Sequence, residues 1–346
     1  MKVAILYNPR PAELPPDAPD DAFEEFDGPE TIAAIAAALR GLGVEPIPIE
    51  AGPEFPARLR DKAVEFAFNI AEGTGGRCRE AIPAAVCEFL GVPYSGSDPL
   101  TLAVTLDKYI GRRIVSPDVP VARAVLVENL DDEARFPELS FPVVVKPNDE
   151  GSSKGIRPRS FCIDASEAGR QSRHLRERYD CRVLVEEFLP GAEVTAGVLG
   201  NGAGTRILGM MEIAPASMSA EPFLYCVETK RDYLRQVRYH VPPRLPAAEL
   251  RAMETYALAA YRLLGCRDFA RIDFRLDAAG QPRFLECNPL PGLNPVSSDL
   301  VILSRDVLPY DRLVQEIFLA AAGRVKLNHQ EKPPWPISNT PHLTTS

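Results

Sequence analysis

The stretch that most constrains this chain lies near its carboxy terminus, Asp268 to Pro295, DFARIDFRLDAAGQPRFLECNPLPGLNP. Two short segments, ARIDFRL and RFLECNP, alternate in polarity around the turn Ala278-Ala279-Gly280-Gln281, which predicts an antiparallel hairpin. Ile272, Phe274 and Leu276 fall on one face, and Arg271, Asp273 and Arg275 on the other. With Asp277 opposite Pro282, Asp273 faces Glu286 and Arg271 faces Asn288. Direct neighbours in such a pair lie roughly 5 Å apart and diagonal ones roughly 7–8 Å apart. Two carboxylates and an amide oxygen at that spacing suit a hard divalent cation on a phosphate substrate, Mg2+ above all, with Mn2+ as the alternative. Arg271 adds a planar donor for a phosphate or a developing oxyanion. The competing reading is a hairpin whose polar face is merely solvated. The proline-stiffened turn from Asn288 to Pro295 favours the metal site. It contains Gly292 and leads to Ser297 and Ser298, so it can present N–H groups and hydroxyls beside a cation.

The chain opens with a buried-strand run, Val3 to Tyr7, then a proline- and acid-rich loop, Pro11 to Asp27, expected to be mobile. Pro29 and Glu30 start a helix that stops at Gly41 and Gly43, and strands follow at Val44 to Ile49 and within Ala63 to Ile70. That rhythm predicts a parallel sheet wound with helices, with ligands beyond the carboxyl ends of its strands. There the sequence FNIAEGTGGRCRE places Asn69, Glu72 and the glycines 73–76. No Walker A pattern occurs, which excludes a P-loop. After Pro120 the strand-like VARAVLV marks a domain boundary, and FPVVVK ends on Lys146, a point charge for α- and β-phosphates. The following Gly151-Ser152-Ser153-Lys154-Gly155 can close over phosphates through N–H groups and hydroxyls. A flexible serine-glycine hairpin is the bland alternative.

These motifs taken together, R-x-D-F and E-x-N-x-x-P-G at the end, K-P-x-x-x-G-S-S-x-G in the middle, and N-I-A-E-G, R-x-R-E-A-x-P-A and L-D-K before them, strongly resemble the ATP-grasp ligases, and the D-alanine–D-alanine ligase family in particular. The resemblance covers residues 60–323 well and 1–59 weakly. It implies an α/β (α+β) architecture of three domains. An amino-terminal parallel α/β domain spans 1–120, a central lid domain 121–205 and a metal-bearing carboxy-terminal domain 206–323, ahead of a disordered tail, 324–346. It implies an ATP-dependent ligase that joins two small-molecule amino acids through an acyl phosphate, as in dipeptide synthesis for peptidoglycan, on two Mg2+ ions held by Asp273, Glu286 and Asn288. Lys108, Lys146, Ser152, Ser153 and Lys230 would hold phosphates. Glu186, Phe188 and Leu189 would line the adenine pocket, and Glu193 would take the ribose hydroxyls. Arg271, Gly292, Lys230 and Ser153 would form the catalytic group, while Glu72 and Ser297 would contact the amino acids. Three positions depart from the family pattern. Asn69-Ile70 stands where the family has a histidine-glycine pair. Tyr7-Asn8-Pro9-Arg10 stands where the family has a glutamate that holds the first substrate's amine, and Arg231 stands where a tyrosine follows the lysine. A ligase for a different amino-acid pair, a non-catalytic ATP-binding regulator and a phosphotransferase are the alternatives.

Composition bounds the rest. At 346 residues and 45% hydrophobic, the chain can bury two or three cores. A net charge of −9 argues against general affinity for nucleic acid or anionic membrane. Seven cysteines without a C-x-x-C pair suit reduced thiols in a cytoplasm. No leader and no membrane span are expected, and a homodimer is the expected assembly.

Overall fold

A computed structural model of the chain describes residues 1–11, 13–217 and 222–328. In chain order the amino-terminal part runs β1 (Lys2–Tyr7), α1 (Pro29–Arg40), β2 (Glu45–Glu50), α2 (Phe55–Asp61), β3 (Phe66–Asn69), α3 (Ala81–Leu90), α4 (Pro99–Leu106) and α5 (Lys108–Val115). Its sheet has the parallel order β2-β1-β3. Val3 and Ile5 point to one face, against Ile32, Ile35 and Leu39 of α1; Ala4 and Leu6 point to the other, against Phe55 and Leu59 of α2. This is the period-2 alternation of a strand covered on both sides. Asp98 caps α4 by accepting from the Thr101 N–H, and Asp107 caps α5 by accepting from the Ile110 N–H. The second cap fixes where Lys108, the first residue of α5, projects.

The middle part supplies β4 (Ala124–Val127), β5 (Val143–Pro147), β6 (Phe161–Cys162), α6 (Ala165–Tyr179) and β7 (Val183–Glu187), with sheet order β4-β7-β5-β6. The third part holds β8 (Glu193–Leu199), β9 (Arg206–Pro215), α7 (Val227–Arg231), α8 (Tyr233–Gln236), β10 (Val237–His240), α9 (Ala247–Leu263), β11 (Phe269–Leu276), β12 (Pro282–Asn288), α10 (Asp299–Ser304) and α11 (Tyr310–Asn328). Its sheet order is β10-β9-β8-β11-β12. The fold is α/β with three sheets, as expected. Because β8 pairs with β9 and β11, the change from the second sheet to the third falls between Glu187 and Glu193, ahead of residue 205.

Three local expectations are corrected. Residues 215–240, which hold no clean apolar period in the sequence and so read as one long loop, contain α7, α8 and the edge strand β10. The tail expected from residue 324 begins later, since α11 continues through Asn328; residues 329–346 lie outside the described part. The third correction concerns the loop 11–27, which is tied down rather than mobile. Its ends are zipped together by Asp27 N–H donating to the Asn8 carbonyl and Arg10 N–H to the Asp27 carbonyl. The carboxylate of Asp21, fully buried, accepts from Arg157, from Tyr179 and from the Gly155 N–H. Glu25 pairs with Arg79 at 3.2 Å and with Lys154 at 3.1 Å. The acids that make this stretch look like a solvated loop are the groups that strap it to the middle part.

Candidate active site

Hairpin β11–β12 sets the centre. Near the turn Leu276 pairs with Pro282 and Phe274 with Phe284, one step out of the expected register. A bulge between Asp273 and Phe274 then leaves Leu285 without a partner and restores Asp273 opposite Glu286 and Arg271 opposite Asn288. Continued without the bulge, the register near the turn would set Leu285 opposite Asp273 and send the Glu286 carboxylate to the other face. The expected pairing at the site therefore holds, for a reason the turn alone does not contain.

Two cavities meet above this hairpin. The larger, about 550 Å³, is lined by Arg10, Asp27, Glu30, Glu72, Asn288 and Ser297 among others; the narrower, about 100 Å³, by Lys146, Ser153, Phe188, Leu189, Glu193 and Asp273. Lys108, Glu150, Ser152, Lys230, Arg271, Glu286 and Asp299 line both. Gly292 faces the larger space and Glu186 the narrower. Every residue to which the resemblance gives a catalytic, nucleotide, metal or substrate role thus stands on one wall or the other, whereas Asn69 and the glycines 73–76 stand on neither.

At the junction, cations already sit on the carboxylates. Lys108 pairs with Glu286 at 3.2 Å and also donates to the Glu150 carbonyl. It is buried. Arg271 grips Asp273 in two-pronged fashion, at 3.0 and 2.9 Å, and reaches Asp299 at 3.4 Å. Thr195 donates to the remaining side of Asp273 at 2.6 Å. Burial opposes ionisation of Glu286, but Lys108, Lys146 and Arg271 outweigh it and hold its pKa down to about 2. The donor set of two carboxylates and the Asn288 amide oxygen fits a hard cation that takes its remaining oxygens from phosphates and water. No trio of His, Cys, Asp or Glu is grouped to hold a metal by itself among the described residues.

The lid is strained and anchored. Ser152 and Ser153 both adopt left-handed backbone, φ 49° and 60°, sparsely populated for non-glycine residues and the kind of strain that collects at ligand clamps. Gly155 (φ 74°) has no room for a Cβ, which would come within 2.5 Å of Pro147. Ser153 donates to the Tyr225 carbonyl at 3.0 Å, linking the lid to the 222–240 segment that carries Lys230.

Glu186 lines the narrower cavity and is already paired there. Its two oxygens are taken by Arg112 at 2.7 Å and Lys146 at 2.9 Å. Burial opposes its ionisation, yet these two cations hold its pKa below the usual carboxylate range. It therefore orients Lys146 instead of offering the adenine slot a free acceptor. Glu193 pairs with Arg275 at 3.1 Å, and burial pushes its pKa up to about 7. Arg275 in turn lies over the Phe188 ring, 4.8 Å from its centroid.

Sequence reasoning missed two groups. Arg231, in the place of the tyrosine of the family resembled, pairs with Asp20 at 2.7 Å and Glu24 at 2.6 Å, which ties that position to the 11–27 strap. Further acids face the larger cavity: Asp27 and Glu30 at the start of α1, with Glu72 and Glu80. The signal was the helix start Gly28-Pro29-Glu30, well beyond the Tyr7–Arg10 stretch where an acid was sought.

These acids crowd one another. Burial, then Glu25, pushes the Glu80 carboxyl up to about 8, and burial pushes Asp27 up to about 7. A carboxyl whose folded pKa lies above its unfolded value takes up a proton on folding, so its contribution is intact below the unfolded pKa and is lost as pH rises through the folded one. Unfolding free energy, measured with urea, should fall between pH 5 and 8, and Glu80→Gln should flatten that slope. An unchanged slope would show that Glu80 does not titrate there.

Comparison with known proteins places these features. Residues 119–319 match the family model described as D-ala D-ala ligase C-terminus. The chain is 30% identical over 302 residues to a D-alanine–D-alanine ligase of Geobacter sulfurreducens, covering 85% of this chain and 89% of that one. It is 36% identical over 271 residues to a D-alanine–D-alanine ligase of Desulforudis audaxviator, covering 76% and 83%. Among solved structures it superposes with TM-score 0.70 and 22% identity on the Bacillus anthracis D-alanine–D-alanine ligase complexed with ATP, covering 96% of this chain and 100% of that one. It superposes with TM-score 0.67 and 20% identity on the Enterococcus faecalis VanG D-Ala:D-Ser ligase, covering 92% and 99%. No helix among the described residues is long and apolar enough to cross a membrane.

Proposed function

This chain belongs to the D-alanine–D-alanine ligase family, and from that premise we propose how its two cavities divide the work of an ATP-dependent ligase that joins two amino acids through an acyl phosphate. The observation that carries the reading is the junction. A nucleotide slot and an amino-acid cavity open onto the same seven residues, Lys108, Glu150, Ser152, Lys230, Arg271, Glu286 and Asp299. ATP takes the narrow cavity, its base beside Phe188 and Leu189, its ribose at Glu193 and its phosphates toward Lys146, Lys108 and the Ser152–Ser153 lid. Asp273, Glu286 and Asn288 would hold Mg2+, which when bound offsets charge on the phosphates. One substrate carboxylate is phosphorylated, ADP leaves, and the second amino acid's amine displaces phosphate from the acyl carbon. Arg271 and the Gly292 N–H face the developing oxyanion, and Lys230 faces the transferring phosphoryl group. Ser297, already ordered by Asn294 at 3.1 Å, would meet the second carboxylate. A closed lid excludes water that would otherwise hydrolyse the acyl phosphate.

The test is amino-acid-stimulated ADP release with mass spectrometry of the product. A dipeptide sustains the ligase; ATP binding without stimulated turnover indicates a regulator, and a stable phosphorylated product a phosphotransferase. The nucleotide slot has its own check. Phe188 packs edge-on against Phe161, ring centroids 5.0 Å apart, and Phe188→Ala should raise KM for ATP about tenfold or more. The KM values for amino acids should change less than twofold. The opposite pattern would remove Phe188 from the adenine site.

A further inference from the structure

The charges on the amino-acid cavity do not balance. Among its lining carboxylates, Glu286 is matched by Lys108, Asp299 by Arg271 and Glu24 by Arg231. Glu25 and Glu150 share Arg79 and Lys154. Asp27, Glu30, Glu72 and Glu80 remain, all from α1's start and the segment after β3, with Arg10 and Lys230 as the lining cations still to be matched. Glu80 is 7% exposed, and its carboxylate makes no hydrogen bond or ion pair among the described residues, yet it lines the cavity. With no partner Glu80 is held largely protonated near neutral pH, pushed up to about 8 by burial and Glu25, and a cationic ligand would let it ionise.

A metal ion is not the fitting answer, because these acids are not grouped as metal ligands among the described residues. An organic cation, whose charge can be spread over several positions, is. The α-ammonium of a neutral amino acid brings a single positive charge and three donors to this wall. We propose that the cavity takes, as one of its two substrates, an amino acid with a second cationic group, an amine or guanidine on its side chain, recognised by Glu80 together with Glu72 and Asp27. The inference rests on the ligase reading and names the substrate class for it. Mutual repulsion points the same way: Glu72 is pushed well above the usual carboxylate range by burial first, then by Glu80, Glu25 and Asp27.

The experiment compares isosteres in the amino-acid-stimulated ADP assay with the full chain. The pairs are 2,3-diaminopropionate against 2-aminobutyrate and ornithine against norleucine, each in both chiralities, with arginine added. At least one cationic member should exceed its neutral isostere about tenfold or more in kcat/KM. Glu80→Gln should narrow that ratio about tenfold through KM, and Glu72→Gln serves if the first variant does not fold. Equal or better use of the neutral isosteres, or a ratio unmoved in the variant, overturns the inference and leaves the ligase standing. No stimulation by any amino acid overturns the ligase reading, and the substrate class falls with it.

Discussion

Glu286→Ala should lose about 10³-fold or more of kcat in amino-acid-dependent ADP release, while keeping a native far-UV circular dichroism spectrum. Glu286 stands across the hairpin from Asp273 and is held ionised at any working pH by Lys108, Lys146 and Arg271. It is thus a fixed negative charge at the mouth of both cavities, where a cation on the phosphates needs one. Its removal leaves Lys108 the Glu150 carbonyl but no ion pair, so some stability is lost as well, and kcat is compared on the folded protein. Glu286→Gln retains shape and one oxygen but not the charge, and should lie close to the alanine variant. Activity within tenfold of the parent in either variant would dismiss the metal-binding role.

The hairpin face was legible in the sequence because strand alternation is local. Arg271, Asp273, Glu286 and Asn288 could be put together from spacing alone. The bulge at Leu285 was not legible: it compensates a turn that pairs Leu276, not Asp277, with Pro282, and turn and bulge cancel at the site. Lys146, Ser152 and Ser153 were found because a strand-end lysine followed by small residues is a local pattern. What Glu186 does was not found, since its partner Arg112 is 74 residues away and comes from α5. The strap was misread for the same reason. Asp20, Asp21, Glu24 and Glu25 look solvated when counted along the chain, and their partners Arg79, Lys154, Arg157 and Arg231 lie on three later segments. Composition records the charge of such a loop and is silent on who neutralises it.

That strap carries the largest expected effect on stability. The Glu25 side chain is 5% exposed and lies between Arg79, 7% exposed, and Lys154, 8% exposed. Removing one member of a buried ion pair leaves the other charge uncompensated, which costs about 3–5 kcal/mol. Glu150 also pairs with both cations, so Glu25→Ala should fall near the lower end, about 3 kcal/mol in urea unfolding. Because Lys154 sits inside the Ser152–Gly155 lid, the same variant should loosen closure and raise ADP release in the absence of amino acids. Glu24→Ala is the internal control. Its partner Arg231 is 39% exposed and keeps Asp20, and an exposed pair of this kind contributes about 1 kcal/mol or less. If the two variants cost the same, burial is not what gives the strap its strength, and the loop is a covering segment with no hold on the lid.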